Sequence, residues 1–173
     1  DELIDGVTYI KAAEVIRMLR LVLGEDRFKA GKTLYFDRYR NGNANTDQFF
    51  ACFEEVSGVS LEQFKSRWLY TIGYPKVRTT ASYDPELHRY RLELTQQGDA
   101  DDLPFHVPIA LALVGEDGRE MAGTGRVFQL RDHRAELVLE GIDQRPAFAS
   151  LNRGYSFYGT FRNDSVTSAE LTR

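Results

Sequence analysis

Up to Tyr74 the apolar positions recur at helical spacing. Ile10, Ala13, Ile16, Leu19, Leu21, Val22 and Leu23, with Arg17 among them, predict a mostly apolar first helix, closed by Gly24 as a left-handed C-terminal residue. Asp26 is placed to cap a second helix, whose Phe28, Leu34, Tyr35 and Tyr39 offer a face until Asn41-Gly-Asn-Ala-Asn45 breaks it. Thr46 reads as the cap of a third helix, in which Phe49, Phe50, Phe53 and Val56 share a face and Gly58 ends the run. Ser60-Leu-Glu-Gln63 has the form of a capping box, since the Ser hydroxyl and the Gln side chain can each satisfy an orphan backbone group. It predicts a fourth helix that buries Leu61, Phe64, Trp68 and Leu69 and stops at Gly73-Tyr-Pro75.

After Pro75 the period drops to two. Val77, Thr79 and Ala81 alternate with Arg78, Thr80 and Ser82, and Tyr90, Leu92 and Leu94 alternate with Arg91, Glu93 and Thr95 across a turn at Asp84-Pro85, which predicts a hairpin. Residues 105–114 are apolar on both phases, as a central strand requires. Shorter strands are predicted at 127–130, 135–140, 147–151 and 157–161. About seven short strands separated by turn residues favour an antiparallel, immunoglobulin-like β-sandwich. The fold class is therefore α+β: a four-helix segment followed by a sandwich.

Composition narrows the function classes. With 22 Lys plus Arg against 26 Asp plus Glu, the net charge of -4 gives no general attraction to phosphate backbones or anionic lipid, so neither nucleic acid nor membrane is an expected partner. No apolar run approaches a membrane span and the acidic start resembles neither a signal nor a transit peptide, so a cytoplasmic location is expected. Cys52, the single cysteine, excludes an internal disulfide and reads as a buried helix thiol. His88, His106 and His133 fall in different predicted strands or turns and no HExxH pair occurs, so each histidine reads as structural and the chain holds no self-contained metal site. Gly123-Thr-Gly125 reads as a turn rather than a phosphate cradle. A start without Met, directly before a helix, suggests a fragment.

One stretch is more specific. Tyr9-Ile-Lys-Ala-Ala-Glu-Val-Ile-Arg-Met18 resembles the Tyr-x-Lys-Gly-Ala-Glu-Val-Ile-Arg-Met segment of the aminopeptidase N (alanyl aminopeptidase) branch of the gluzincin zinc metallopeptidases. Leu23-Gly-Glu25, Tyr35-Phe36 to Arg38, Asn43-Ala-Asn-Thr-Asp47, Phe53-Glu-Glu-Val-Ser57 and Trp68 through Pro75 extend the resemblance to the helical end of that family's catalytic domain. Phe105-His-Val-Pro-Ile109 and Pro146 to Ser156, with Asn152-Arg-Gly-Tyr155, are similar to the domain that follows it. The chain departs from the family at Lys11-Ala12-Ala13, where Lys-Gly-Ala is usual; alanine suits a helix, so the change need not harm the fold.

The resemblance implies residues 1–75 as the helical end of a thermolysin-like catalytic domain, 76–163 as the sandwich, and 164–173 as a stub leading toward a C-terminal helical domain. It implies a parent that removes N-terminal residues from peptide substrates with zinc, and gives Tyr9 the role of oxyanion stabiliser. The zinc ligands, their glutamate and the residues that hold the substrate amine would all precede Asp1, so the chain alone should have neither zinc nor activity. The catalytic and C-terminal helical domains of the same polypeptide would be its partners. A rival expectation from another class is a non-catalytic interaction module, with Tyr83, Tyr90 or Tyr158 as recognition aromatics on the sandwich and the helices as a docking platform.

Overall fold

The computed structural model describes residues 6–98 and 101–164, with side chains from Ile10 onward. The chain forms two compact units, Asp1–Thr71 and Ile72–Arg173. Four α-helices make up the described part of the first: α1 (Gly6–Leu23), α2 (Glu25–Tyr39), α3 (Thr46–Ser57) and α4 (Glu62–Leu69). Residues 165–173, most of the expected stub, lie outside the described residues.

The helices stand where the periodicity predicts, but three of the caps differ. Gly24 has φ +79° and its N–H donates to Arg20 O, which closes α1; its own carbonyl then accepts Phe28 N–H, so the same glycine also starts α2. Asp26 is therefore not the cap, and sits in the first turn of α2 beside Glu25. Asn45, not Thr46, caps α3: its Oδ1 accepts Gln48 N–H and Gln48 Oε1 accepts Asn45 N–H, both at 2.9 Å. The N-cap of α4 falls at Leu61, one residue beyond the expected Ser60. Glu54, reaching across from α3, takes Leu61 N–H at 2.6 Å, and Leu61 becomes the N-cap of α4 without a side-chain cap bond.

The helical core is built from Val15, Met18, Leu19 and Leu23 of α1, Phe50, Cys52 and Phe53 of α3, and Leu61, Phe64 and Trp68 around α4. Aromatic rings run through it in contact: Phe28 to Phe53 at 5.4 Å, Phe53 to Phe49 at 4.8 Å, Phe49 to Tyr35 at 5.1 Å, and Phe50 to Phe64 at 6.3 Å. Gly31 is the buried residue of α2, and it lies against the Phe53 ring. The Cys52 thiol is buried and donates to Gln48 O, as the sequence suggests.

The second unit contains β1 (Lys76–Asp84), β2 (Arg89–Gln96), β3 (Val107–Val114), β4 (Arg126–Leu130), β5 (Arg134–Glu140), β6 (Phe148–Leu151) and β7 (Thr160–Asn163). They form a four-stranded sheet, β5-β2-β1-β7, and a three-stranded sheet, β4-β3-β6. All pairs are antiparallel except β1 with β7, the first strand with the last. On the first sheet Val77, Thr79, Tyr90, Leu92, Leu94 and Leu139 alternate inward; on the other, β3 is buried on both phases. The outward phase of β2 and β5 carries three cross-strand ion pairs, Arg89–Glu140, Arg91–Glu136 and Arg134–Glu93.

β3 is longer than its neighbours, so its backbone needs other partners at the ends of the ladder. Buried side chains supply them. Ser156 Oγ accepts Ala110 N–H at 2.9 Å and Thr124 Oγ1 accepts Leu113 N–H at 3.0 Å. The Gln96 amide spans Phe105, donating to its carbonyl at 2.7 Å and accepting its N–H at 3.1 Å, which explains why the strand expected from Phe105 begins at Val107. The last strand likewise starts at Thr160 rather than residue 157. Phe157 is buried in the core, and Gly159 comes so close to Pro75 that a Cβ would lie 2.6 Å from the Pro75 carbonyl oxygen.

Candidate functional site

Tyr9 falls in the first turn of α1, and its side chain lies outside the described residues. What surrounds its position on the helix is described. At 100° per residue, position 9 shares a face with Ala13, Ile16 and Arg20, away from the buried Val15 and Met18. That shared face is open: Ala13 and Arg20 are exposed and Ile16 is 39% exposed. Glu14 and Arg17 are ion-paired along its flank. Among the described residues α1 thus buries one face in its own unit and leaves Ala13, Ile16 and Arg20 exposed on the face that carries position 9, with Leu23 buried at its C-terminal end.

The histidines are held apart and already engaged. His106 is 1% exposed and its Nε2–H donates to Gln129 Oε1 at 2.8 Å; burial pushes its pKa down to about 4, so the ring is neutral at pH 7. His133 Nε2–H donates to Asp102 O at 2.8 Å. His88, expected in phase with Tyr90, is instead a turn residue with φ +48°, its Nδ1 2.9 Å from Asp143 Oδ1. Asp84 Oδ1 accepts the N–H of both Glu86 and Leu87, and this turn stops the strand before His88. Among the described residues no group of three or more His, Cys, Asp or Glu could hold a metal ion. The donor set present does not fit a zinc site.

Of the three sandwich aromatics, Tyr158 is 41% exposed and Tyr83 is half-buried. Tyr90 is only 6% exposed, which corrects the expectation that it faces solvent; burial also raises its pKa to about 12, so its hydroxyl stays protonated. Tyr83 donates its hydroxyl to Ile142 O at 2.8 Å, and Tyr158 packs edge-on against Tyr74. Arg145 carries no pattern that marks it in the sequence, yet it lines a pocket together with Tyr90. Among the described residues no helix is long and apolar enough to cross a membrane.

Residues 1–68 match the family described as "Peptidase family M1 domain", and residues 73–164, over half the chain, match "Domain of unknown function (DUF3458) Ig-like fold". Aminopeptidase N of Escherichia coli (strain K12) is 37% identical over 116 residues, covering 64% of this chain and 13% of that protein. Aminopeptidase N of Haemophilus influenzae is 31% identical over 140 residues, covering 78% of this chain and 15% of the relative. Among solved structures, Legionella pneumophila aminopeptidase A in complex with aspartic acid superposes with a TM-score of 0.85 at 23% identity, over 98% of this chain and 19% of that one. The fold is shared along nearly the whole chain, which spans about a seventh of the length of the two curated relatives. The chain belongs to the M1 family of zinc aminopeptidases, carrying helices of the peptidase domain followed by the family's Ig-like β-sandwich.

Proposed function

We propose that this chain is part of an M1 aminopeptidase that releases N-terminal residues from peptides, and that Tyr9 serves the reaction as the hydrogen-bond donor to the oxyanion of the tetrahedral intermediate. The exposed side of α1 carries the reading: the helix buries Val15 and Met18, and position 9 falls on the other side beside the exposed Ala13, a small residue that leaves room for a substrate backbone. A neutral phenol aimed at the developing negative charge costs no reorganisation when the charge appears, and losing one such donor lowers turnover on the order of 100-fold or more. Zinc, which the family uses, would be held by residues other than these, so no step is derived through it.

In the same reading, residues 1–75 complete the catalytic domain, 76–163 form the sandwich and 164–173 lead toward a further helical domain. The remaining domains of the polypeptide are its partners. A cytoplasmic location belongs to the proposal too. The test is Tyr9→Phe in the full-length parent, assayed by steady-state hydrolysis of an alanyl anilide with metal analysis of both proteins. We expect kcat and kcat/KM to fall together by about 100-fold, with KM and zinc content unchanged. Equal kcat at equal zinc occupancy removes Tyr9 from the mechanism; a lowered Tm with normal turnover makes it a packing residue.

A further inference from the structure

In the β-sheet unit a pocket of about 110 Å³ is lined by Ser82, Tyr83, Tyr90, Arg145, Phe148 and Asn163, with Pro146 and alanines completing its wall. Two of these groups are unspent. Arg145 is exposed and makes no ion pair or hydrogen bond among the described residues, although almost every other arginine of the sheets is tied to a carboxylate, a carbonyl or a neighbour. Tyr90 is more than nine-tenths buried and its hydroxyl has no hydrogen-bond partner among the described residues. That hydroxyl is nonetheless absent from the sealed polar atoms, which are Arg67 Nε, Thr79 Oγ1 and Arg89 Nε, so it keeps solvent access, and the pocket is the opening that Tyr90 lines. Its cross-strand neighbour Tyr83 is occupied with Ile142 O and does not compete for it.

The geometry points to a carboxylate-binding site in this pocket, in which the Arg145 guanidinium pairs with the anion and the Tyr90 hydroxyl donates the second hydrogen bond. The chemistry selects the ligand class. A guanidinium fork and a protonated phenol can both donate to an acceptor-rich anion. None of the lining residues is acidic, so no internal carboxylate already answers Arg145 there. Phosphate would bring about two charges to a single cation, whereas a carboxylate brings one. Size limits the rest. Roughly 150 Å³ holds benzene, so about 110 Å³ admits a carboxylate with two or three carbons, and Phe148, Pro146 and the alanines provide an apolar wall for them. Propionate, or the side chain of a glutamate in a polypeptide, has these dimensions.

The test is titration of the isotope-labelled 173-residue chain with propionate, propionamide and a glutamate blocked at both backbone ends, following the amide signals of Tyr90, Ala147 and Phe148. We expect saturable shifts with propionate in the millimolar range and none with propionamide. Arg145→Gln should abolish saturation, and Tyr90→Phe should weaken it about tenfold, while signals elsewhere stay in place because Arg145 is exposed and the ring of residue 90 is kept. Tighter binding of blocked glutamate assigns the pocket to an acidic side chain of a polypeptide; tighter binding of propionate assigns it to a free acid. Equal shifts with propionamide, saturation that survives Arg145→Gln, or no saturable response to either acid overturns the proposal.

Discussion

Gly31→Ala should destabilise the helical unit, against the usual effect of that substitution. In an open helix position the change gains about 1 kcal/mol, because alanine loses less backbone freedom on folding. At Gly31 the added Cβ would stand 2.4 Å from Phe53 Cδ1, 2.8 Å from Cγ and 2.9 Å from Cε1, inside contact distance for three ring atoms at once. Phe53 cannot swing away cheaply. It is 1% exposed and its ring is held by Phe28 at 5.4 Å and Phe49 at 4.8 Å. Overpacking a rigid site costs roughly 1–3 kcal/mol, and a clash with three ring atoms belongs at the upper end, so the net loss should be about 1–2 kcal/mol. Urea unfolding followed by far-UV circular dichroism at the helix minimum and by Trp68 fluorescence measures it. The mechanism is specific to one ring, so a double-mutant cycle separates it from a general helix effect. In a Phe53→Leu background, where the ring is absent, Gly31→Ala should be neutral or stabilising. An unchanged or raised midpoint in the wild-type background, or the same loss in both backgrounds, would refute the contact as the cause.

Three further outcomes rest on single groups. Gln96→Leu strips both bonds from the buried backbone of Phe105 and should cost about 2–4 kcal/mol, read as a lowered unfolding midpoint of the β-sheet unit by near-UV circular dichroism. Gly159→Ala drives a methyl into the Pro75 carbonyl and should unzip the pairing of β1 with β7, seen as lost hydrogen-exchange protection at Thr160 and Asp164; retained protection would contradict it. His106 has a folded pKa of about 4, below its unfolded value near 6.5, so the unfolded state binds the extra proton between those limits. Its contribution is fully present above pH 6.5 and is lost as pH falls toward 4, by about 3 kcal/mol; its ring signals should not titrate above pH 5, and an inflection near 6.5 would refute this.

How much of this was legible in the sequence depends on the range of the interaction. The helices and strands follow from periodicity, which is local: Phe49, Phe50 and Phe53 sit on one face of α3 because of their spacing alone, and Val77, Thr79 and Ala81 share a phase for the same reason. The caps shifted by a residue or two, which periodicity does not resolve: Gly24 stands in for Asp26, Asn45 for Thr46 and Leu61 for Ser60. Nothing near Ser60 announces that Glu54 will take Leu61 N–H, and the lengths of β3 and β7 are set by Gln96, Ser156 and Pro75, which meet them only in the folded unit. Tyr90 obeyed its phase and is buried, so its expected exposure contradicted the alternation that had placed it. Tyr9 is proposed from its segment's resemblance rather than from pattern, since one tyrosine at a helix start has no periodic signature.

The pairing of the first strand with the last has a mechanical consequence. β1 and β7 run in the same direction, with Lys76 beside Thr160 and Thr79 beside Asn163, and Thr160 N–H to Pro75 O and Asp164 N–H to Thr79 O continue the ladder at both ends. Tension applied through residues 76 and 163 pulls these two strands past one another along their length. The bonds are then loaded together in shear, whereas an antiparallel terminal pair pulled from its open end would break one bond at a time. Only a few rungs share the load, but they must fail as a group before any other strand is drawn out. The clasp therefore sets the force at which the sandwich yields, and Gly159, which lets the strands approach, is the residue whose replacement would loosen it first.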